Sequence, residues 1–208
     1  MHSKNPVSSG FREGRYLIAL SMLEGIDPKK VLDIGCGEGH FLALVSEKYP
    51  GARLYGCDKS KKSVCRAKKA CPGAEIHAGD FMELDLEPVD LVVGLEVMEH
   101  NKDPASMVKK AAGLAGKNGW VLISIPRPEL LRWRAVWWLW THSVGRWGLG
   151  EHTNLTEAQL VDFSKKVGLS MEKRSRFFFG CISTMLFRVS PGASGKAGKT
   201  TKIKTGAP

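Results

Sequence analysis

The stretch Val31–His40, VLDIGCGEGH, decides how the rest of the chain is read. It opens as a short apolar run and then places glycine at Gly35, Gly37 and Gly39. An apolar run bounded by glycines reads as a buried strand. Glycine adopts backbone angles that other residues avoid, and it lets a ligand approach the main chain closely. The segment that follows, HFLALVSEKY, has helical apolar spacing, so the glycines form an elbow between a strand and a helix. A helix N-terminus offers free N–H groups and the positive end of its dipole. Such an elbow is a ligand-holding device, and in an open α/β sheet its crevice lies at the carboxyl ends of the strands.

Outward from the elbow, strands and helices alternate. ARLYGCD, AEIHAGD, VDLVVGLEV and WVLISIP read as strands, and SKKSVCRAKKA and DPASMVKKAAGLAG as helices between them. Ser60 is placed to cap the first of these helices, and Gly116 to stop the second. Upstream, Arg15–Leu23 has helical spacing. Downstream, TEAQLVDFSKKVG is a helix with Thr156 as its cap. SMEKRSRFFF and CISTMLFRVS then close the pattern as two antiparallel strands, because the link between them is too short for a crossover helix. The alternation predicts βαβ units and a parallel sheet with helices on both faces.

The 208 residues suit one domain, read here as residues 1–190. Residues 191–208 hold Gly, Lys, Thr and Ala but no acid, and read as a disordered basic tail. The net charge of +10 points to an anionic partner, or else to that tail and solvated helix faces. Five cysteines, an odd number without metal-type spacing, argue for reduced thiols and a cytoplasmic setting. The N-terminal residues lack the apolar core of a signal peptide, and no apolar run approaches the ~18 residues of a membrane span.

Two ligand classes compete for the elbow. A dinucleotide site wants G-x-G-x-x-G or A, and counting from Gly35 the sixth position is His40, too bulky for that packing role. The pattern D-x-G-x-G-x-G, read as Asp33, Gly35, Gly37 and Gly39, instead resembles motif I of class I S-adenosylmethionine-dependent methyltransferases. Asp58 ends the second predicted strand and Asp80 the third, with Phe81 beside it. VDLVVGLEVMEH closely resembles the fourth-strand motif E-V-x-E-H of the type 11, ubiquinone-biosynthesis O-methyltransferase-like group. The resemblance covers roughly Arg15–Val189. It implies a Rossmann-like class I methyltransferase fold: a mostly parallel seven-stranded sheet, helices on both faces, and an antiparallel last strand. It also implies S-adenosylmethionine as cofactor and S-adenosylhomocysteine as product. Asp33, Gly35, Cys36, Gly37, Gly39 and Lys59 would line the cofactor. Asp58 would receive the ribose hydroxyls, Asp80 the adenine amino group, and Phe81 would flank the ring.

Glu96, Glu99 and His100 follow the fourth strand, where the methyl group should point. The resemblance supports two readings of them. They could hold Mg²⁺ or another divalent ion that acidifies an acceptor hydroxyl, as in ubiquinone-biosynthesis O-methyltransferases and small-RNA 2′-O-methyltransferases; the RNA enzymes add a later histidine, and His152, in GEHTNLTEAQL, occupies a comparable place. Alternatively Glu96 orients the cofactor, Glu99 and His100 cap the next helix and line the pocket, and His152 is a substrate-pocket base or a surface histidine. Glu96, His100 and His152 are the candidate catalytic residues. No N/D-P-P-Y/F motif and no Pro-Cys dipeptide is present, which sets aside amino-group methylation of DNA or protein and cytosine C5 attack.

The segment 128–150, PELLRWRAVWWLWTHSVGRWGLG, carries five of the six tryptophans. Leu130, Trp133, Trp137, Trp140, Val144 and Trp147 recur at helical spacing, with Arg127, Arg132, Arg134 and Arg146 around them. It reads as a lid over an apolar acceptor pocket, as a peripheral membrane contact, or as core or dimer packing. Stacking on RNA fits one continuous stripe less well. The expectation is O-methylation of a hydrophobic small molecule or lipid-like acceptor. The alternatives are a metal-dependent RNA 2′-O-methyltransferase and a catalytically silent cofactor-binding regulatory or assembly protein.

Overall fold

The computed structural model describes residues 6–131 and 154–191. The tryptophans of the 128–150 segment, Arg132, Arg134, Arg146, Val144, His152 and the tail residues 192–208 lie outside the described residues. One seven-stranded sheet organises the rest. In chain order its strands are β1 (Lys30–Ile34), β2 (Arg53–Asp58), β3 (Glu75–Ala78), β4 (Leu91–Leu95), β5 (Trp120–Pro126), β6 (Leu169–Phe177) and β7 (Ile182–Val189). Across the sheet they run β3-β2-β1-β4-β5-β7-β6. The first five are mutually parallel, and β7 is antiparallel to both β5 and β6. All seven expected strands are present, with the antiparallel last strand in place.

Among the described residues five α-helices cover the faces: α1 (Pro6–Met22), α2 (His40–Lys48), α3 (Lys61–Ala70), α4 (Pro104–Leu114) and α5 (Glu157–Lys166). Alternation along the strands sorts the core into two layers. Val31, Leu91, Val93 and Leu122 face Ala19 and Met22 of α1, Phe41 and Leu42 of α2, and Val64 and Ala67 of α3. Leu32, Val92, Val121 and Ile123 face Met107, Val108 and Ala111 of α4 and Leu160 of α5. Burying each such Leu or Ile contributes about 2 kcal/mol.

The helix starts follow local chemistry. The Ser60 hydroxyl accepts from the Ser63 N–H at 3.2 Å, and Asp103 accepts from the Ser106 N–H at 3.0 Å. Thr156 and Gln159 form a reciprocal capping box at α5. Asp103 is thus the cap of α4. Glu99 and His100 lie before it in a 3-10 turn, Met98–His100. Helix α1 begins at Pro6, well before the expected Arg15. The added turns carry Gly10 and Gly14 and show no apolar spacing of their own. They are held by tertiary contact: Phe11 packs on Phe177 and Phe178 with centroids 5.3 and 5.1 Å away. None of the five cysteines forms a disulfide. No described helix is long and apolar enough to cross a membrane.

Candidate active site

The strand order reverses between β1 and β4, which are neighbours in the sheet. The loops leaving them diverge to opposite faces, and a crevice opens at their carboxyl ends. Gly35 leaves β1 and Glu96 leaves β4 at this point. Gly35 has φ +65°, and a Cβ there would lie 2.5 Å from Val97 Cγ2, so a side chain is excluded twice. Gly37 has φ +53° but would meet nothing within 4 Å: its open side faces the crevice. Gly39 lines neither cavity. Its Cβ position faces the Ala67 backbone at 3.0 Å, so this glycine lets α2 and α3 approach.

Two cavities meet here. The smaller, about 270 Å³, is lined by Asp58, Lys59, Gly79, Asp80 and Phe81 on one side and by Val97, His100, Asn101 and Met107 on the other. The larger, about 420 Å³, is lined by Asp33, Cys36, Gly37 and His40 of the elbow, by Arg12, Arg15 and Tyr16 of α1, and by Glu99 and Pro126. Gly35, Glu96 and His100 border both. The fold therefore gathers every expected site residue except Gly39, which packs helices, and His152, which lies outside the described residues.

The acids are held in distinct ways. Asp58 accepts from the Gly37 N–H at 2.9 Å on one oxygen and from the Ser60 N–H at 2.8 Å on the other. Each oxygen keeps a further lone pair for a ligand hydroxyl. Asp80 caps the 3-10 turn after β3 through the Met82 N–H at 2.9 Å, and pairs with Lys59 at 2.8 Å. The Lys59 bond, followed by that of Met82, holds its carboxyl below the usual range. Phe81 is buried at the cavity wall. Asp33 is buried on β1. Burial, with the Asp58 carboxylate adding to it, pushes its pKa up to about 8. Burial likewise pushes the Cys36 thiol up, which removes it as a nucleophile.

Glu96 takes a left-handed backbone, φ +55°, fixed by its N–H donating to Ser124 O at 2.9 Å. Its Oε2 pairs with Arg15 of α1. Its Oε1 is buried with no hydrogen-bond partner among the described residues, at the border of both cavities. Glu99 is buried, and desolvation pushes its carboxyl up to about 8. His100 is exposed to the cavities. The basic wall of Arg12, Arg15 and Tyr16 was not expected from sequence. Its signal was the i, i+3, i+4 spacing that puts the three on one helix face. Among the described residues no group of three or more His, Cys, Asp or Glu is arranged to hold a metal ion.

A family model described as a methyltransferase domain matches residues 11–172. The chain belongs to this methyltransferase-domain family. The ubiquinone biosynthesis O-methyltransferase of Paracidovorax citrulli is 32% identical over 132 residues, 60% of this methyltransferase domain's chain and 51% of that protein. The trans-aconitate 2-methyltransferase of an Azoarcus species is 33% identical over 122 residues, covering 56% and 46%. The chain thus spans about half the length of the curated relatives it matches. Among solved structures, magnesium protoporphyrin IX methyltransferase from Synechocystis, with bound S-adenosylhomocysteine, superposes with TM-score 0.72 at 22% identity. That match covers 91% of this chain and 90% of the other. The seven-stranded Rossmann-like methyltransferase fold expected from the motifs is the fold observed.

Proposed function

We propose that this methyltransferase domain binds S-adenosylmethionine across both cavities and methylates an oxygen of a hydrophobic small molecule or lipid-like acceptor. One observation carries the reading: Asp58, Asp80 with the aromatic wall of Phe81, and the open face of Gly37 border a single crevice at the sheet's switch point. The residues present fit the cofactor. Asp58 has lone pairs to accept from ribose hydroxyls, and Phe81 offers an apolar wall for the adenine. The uncompensated Glu96 Oε1 accepts from the ammonium of the amino-acid end. Arg12 and Arg15 suit the carboxylate.

When bound, the cofactor supplies an electrophilic methyl group on sulfur, with a neutral leaving group. The chain's own tasks are alignment, exclusion of water, and removal of the acceptor's hydroxyl proton. In this reading His100, exposed where the cavities join, takes that proton. Glu99 holds a proton of its own near neutral pH and is a poor base there. Two relatives are named as a ubiquinone biosynthesis O-methyltransferase and a trans-aconitate 2-methyltransferase, which supports a small-molecule acceptor. The Trp-rich composition of residues 128–150 supports an apolar one. Titration calorimetry tests the shared core. S-adenosylmethionine should bind wild type and not Asp58→Ala, and a wild-type chain that gives no heat at saturating ligand removes the reading. Turnover over an acceptor panel then separates the enzyme from a silent binding protein.

A further inference from the structure

We infer that the turn joining β6 to β7, Phe178–Cys181, is a docking tip that seats Phe179 in the interface of an anionic lipid bilayer. Phe179 is 79% exposed, and Leu131, four residues beyond Arg127, is equally so; the other large apolar side chains exposed among the described residues are less so. The turn has an uncommon backbone. Phe178, Phe179 and Gly180 all take left-handed angles, φ +50°, +54° and +80°. Bulky aromatics are disfavoured there, and such conformations persist only where the surroundings impose them.

The surroundings here are explicit. Phe178 lies edge-on to Phe11 at 5.1 Å. The Cys181 N–H donates to Phe178 O at 3.0 Å. Arg127 donates its backbone N–H to Cys181 O at 2.8 Å and a guanidinium N–H to Gly180 O at 3.2 Å. Phe178 is thus part of the packing. Among the described residues Phe179 meets the Phe178 ring edge-on, with centroids 5.6 Å apart, and is otherwise largely exposed. Asparagine would satisfy the same backbone with less strain and better hydration. Beyond that one ring contact, the described residues give no packing reason for an aromatic ring at this position.

Charge selects the occupant. Behind the tip, Arg127, Arg174 and Arg176 converge on Glu157 at 3.1, 2.8 and 3.3 Å. Glu129 adds the second acid, so three cations face two carboxylates. Arg174 and Arg176 remain nearly half exposed. An apolar tip with arginines behind it is an interfacial arrangement, drawn to anionic headgroups. An exposed Phe alone could stack on a nucleobase, but Leu131 has no ring to stack. The strand register sets the location. Pro126, Ile182 and Phe177 align across β5, β7 and β6, so the turn lies on the crevice edge, beside the cavity that Pro126 lines. Docking would turn the mouth of the site towards the bilayer.

The test uses the full chain with phosphatidylcholine vesicles, with and without phosphatidylglycerol, in co-sedimentation. Wild type should bind the phosphatidylglycerol vesicles and detach with added salt. Phe179→Asn should weaken binding about tenfold, the effect of removing one buried aromatic. Its melting temperature should hold or rise, and its S-adenosylmethionine binding should be unchanged, which keeps this outcome separate from that of the proposed function. Leu131→Ser should weaken binding in the same direction. Three results overturn the inference: no association with anionic vesicles, equal association by Phe179→Asn and wild type, or Phe179-dependent binding of single-stranded RNA in place of vesicles.

Discussion

Glu99 and Asp33 are buried acids whose carboxyls are both pushed up to about 8. Between the ordinary glutamate value of 4.5 and about 8, the folded chain binds more protons at Glu99 than the unfolded chain does. Stability from this group is therefore complete below 4.5 and is lost as pH rises through that window. Glu99→Gln, which cannot ionise, should flatten the decline. Urea midpoints measured near pH 4.5 and pH 8 check this, and an unchanged slope would contradict it. The two elbow glycines should separate in the opposite sense. Gly35→Ala adds left-handed strain to a clash with Val97 and should cost about 3 kcal/mol in chemical denaturation. Gly37→Ala meets open space, should cost about 1 kcal/mol, and should instead impair cofactor binding. Single residues were also where the sequence was most and least informative. Asp58, Asp80 and the glycines sit beside strand ends that the local pattern reveals. Arg15 meets Glu96 across 81 positions, and nothing local records that pairing.

Among the secondary-structure elements, period and punctuation carried nearly all of the information. The central parallel strands β1, β4 and β5 were short apolar runs, and Ser60, Asp103 and Thr156 each stood one residue before a helix. The start of α1 was hidden because Phe11 gains its place from Phe177 and Phe178, at the far end of the chain. Gly14 reads locally as a helix breaker. In the fold it makes room, since a Cβ there would come within 2.9 Å of the Phe177 ring. The capping box of α5 is a clean local test. Thr156→Ala removes the hydroxyl that accepts from the Gln159 N–H at 3.3 Å. It should lower unfolding stability by about 1 kcal/mol, and Thr156→Ser should restore most of it. A loss no larger than that of an exposed surface alanine would show the box to be dispensable.

For the molecule as a whole, the proposed ligand should bind only the native chain, because the crevice is built from both halves of the sheet. S-adenosylhomocysteine at one hundred times its dissociation constant should then raise the unfolding free energy by about 2.7 kcal/mol. A thermal melt reads this as a higher Tm in wild type and no change in Asp58→Ala. The strand order has a kinetic corollary. Val31 of β1 sits opposite Leu91 of β4, so the two walls of the crevice join only after the long intervening chain has closed into a loop. Pairing at that distance is slow, and the cleft is absent until it is done. A nucleoside ligand therefore cannot act as a template for early assembly. It arrives at a finished sheet, and its effect should fall on the rate of unfolding, leaving the refolding rate as it is in the ligand-free chain.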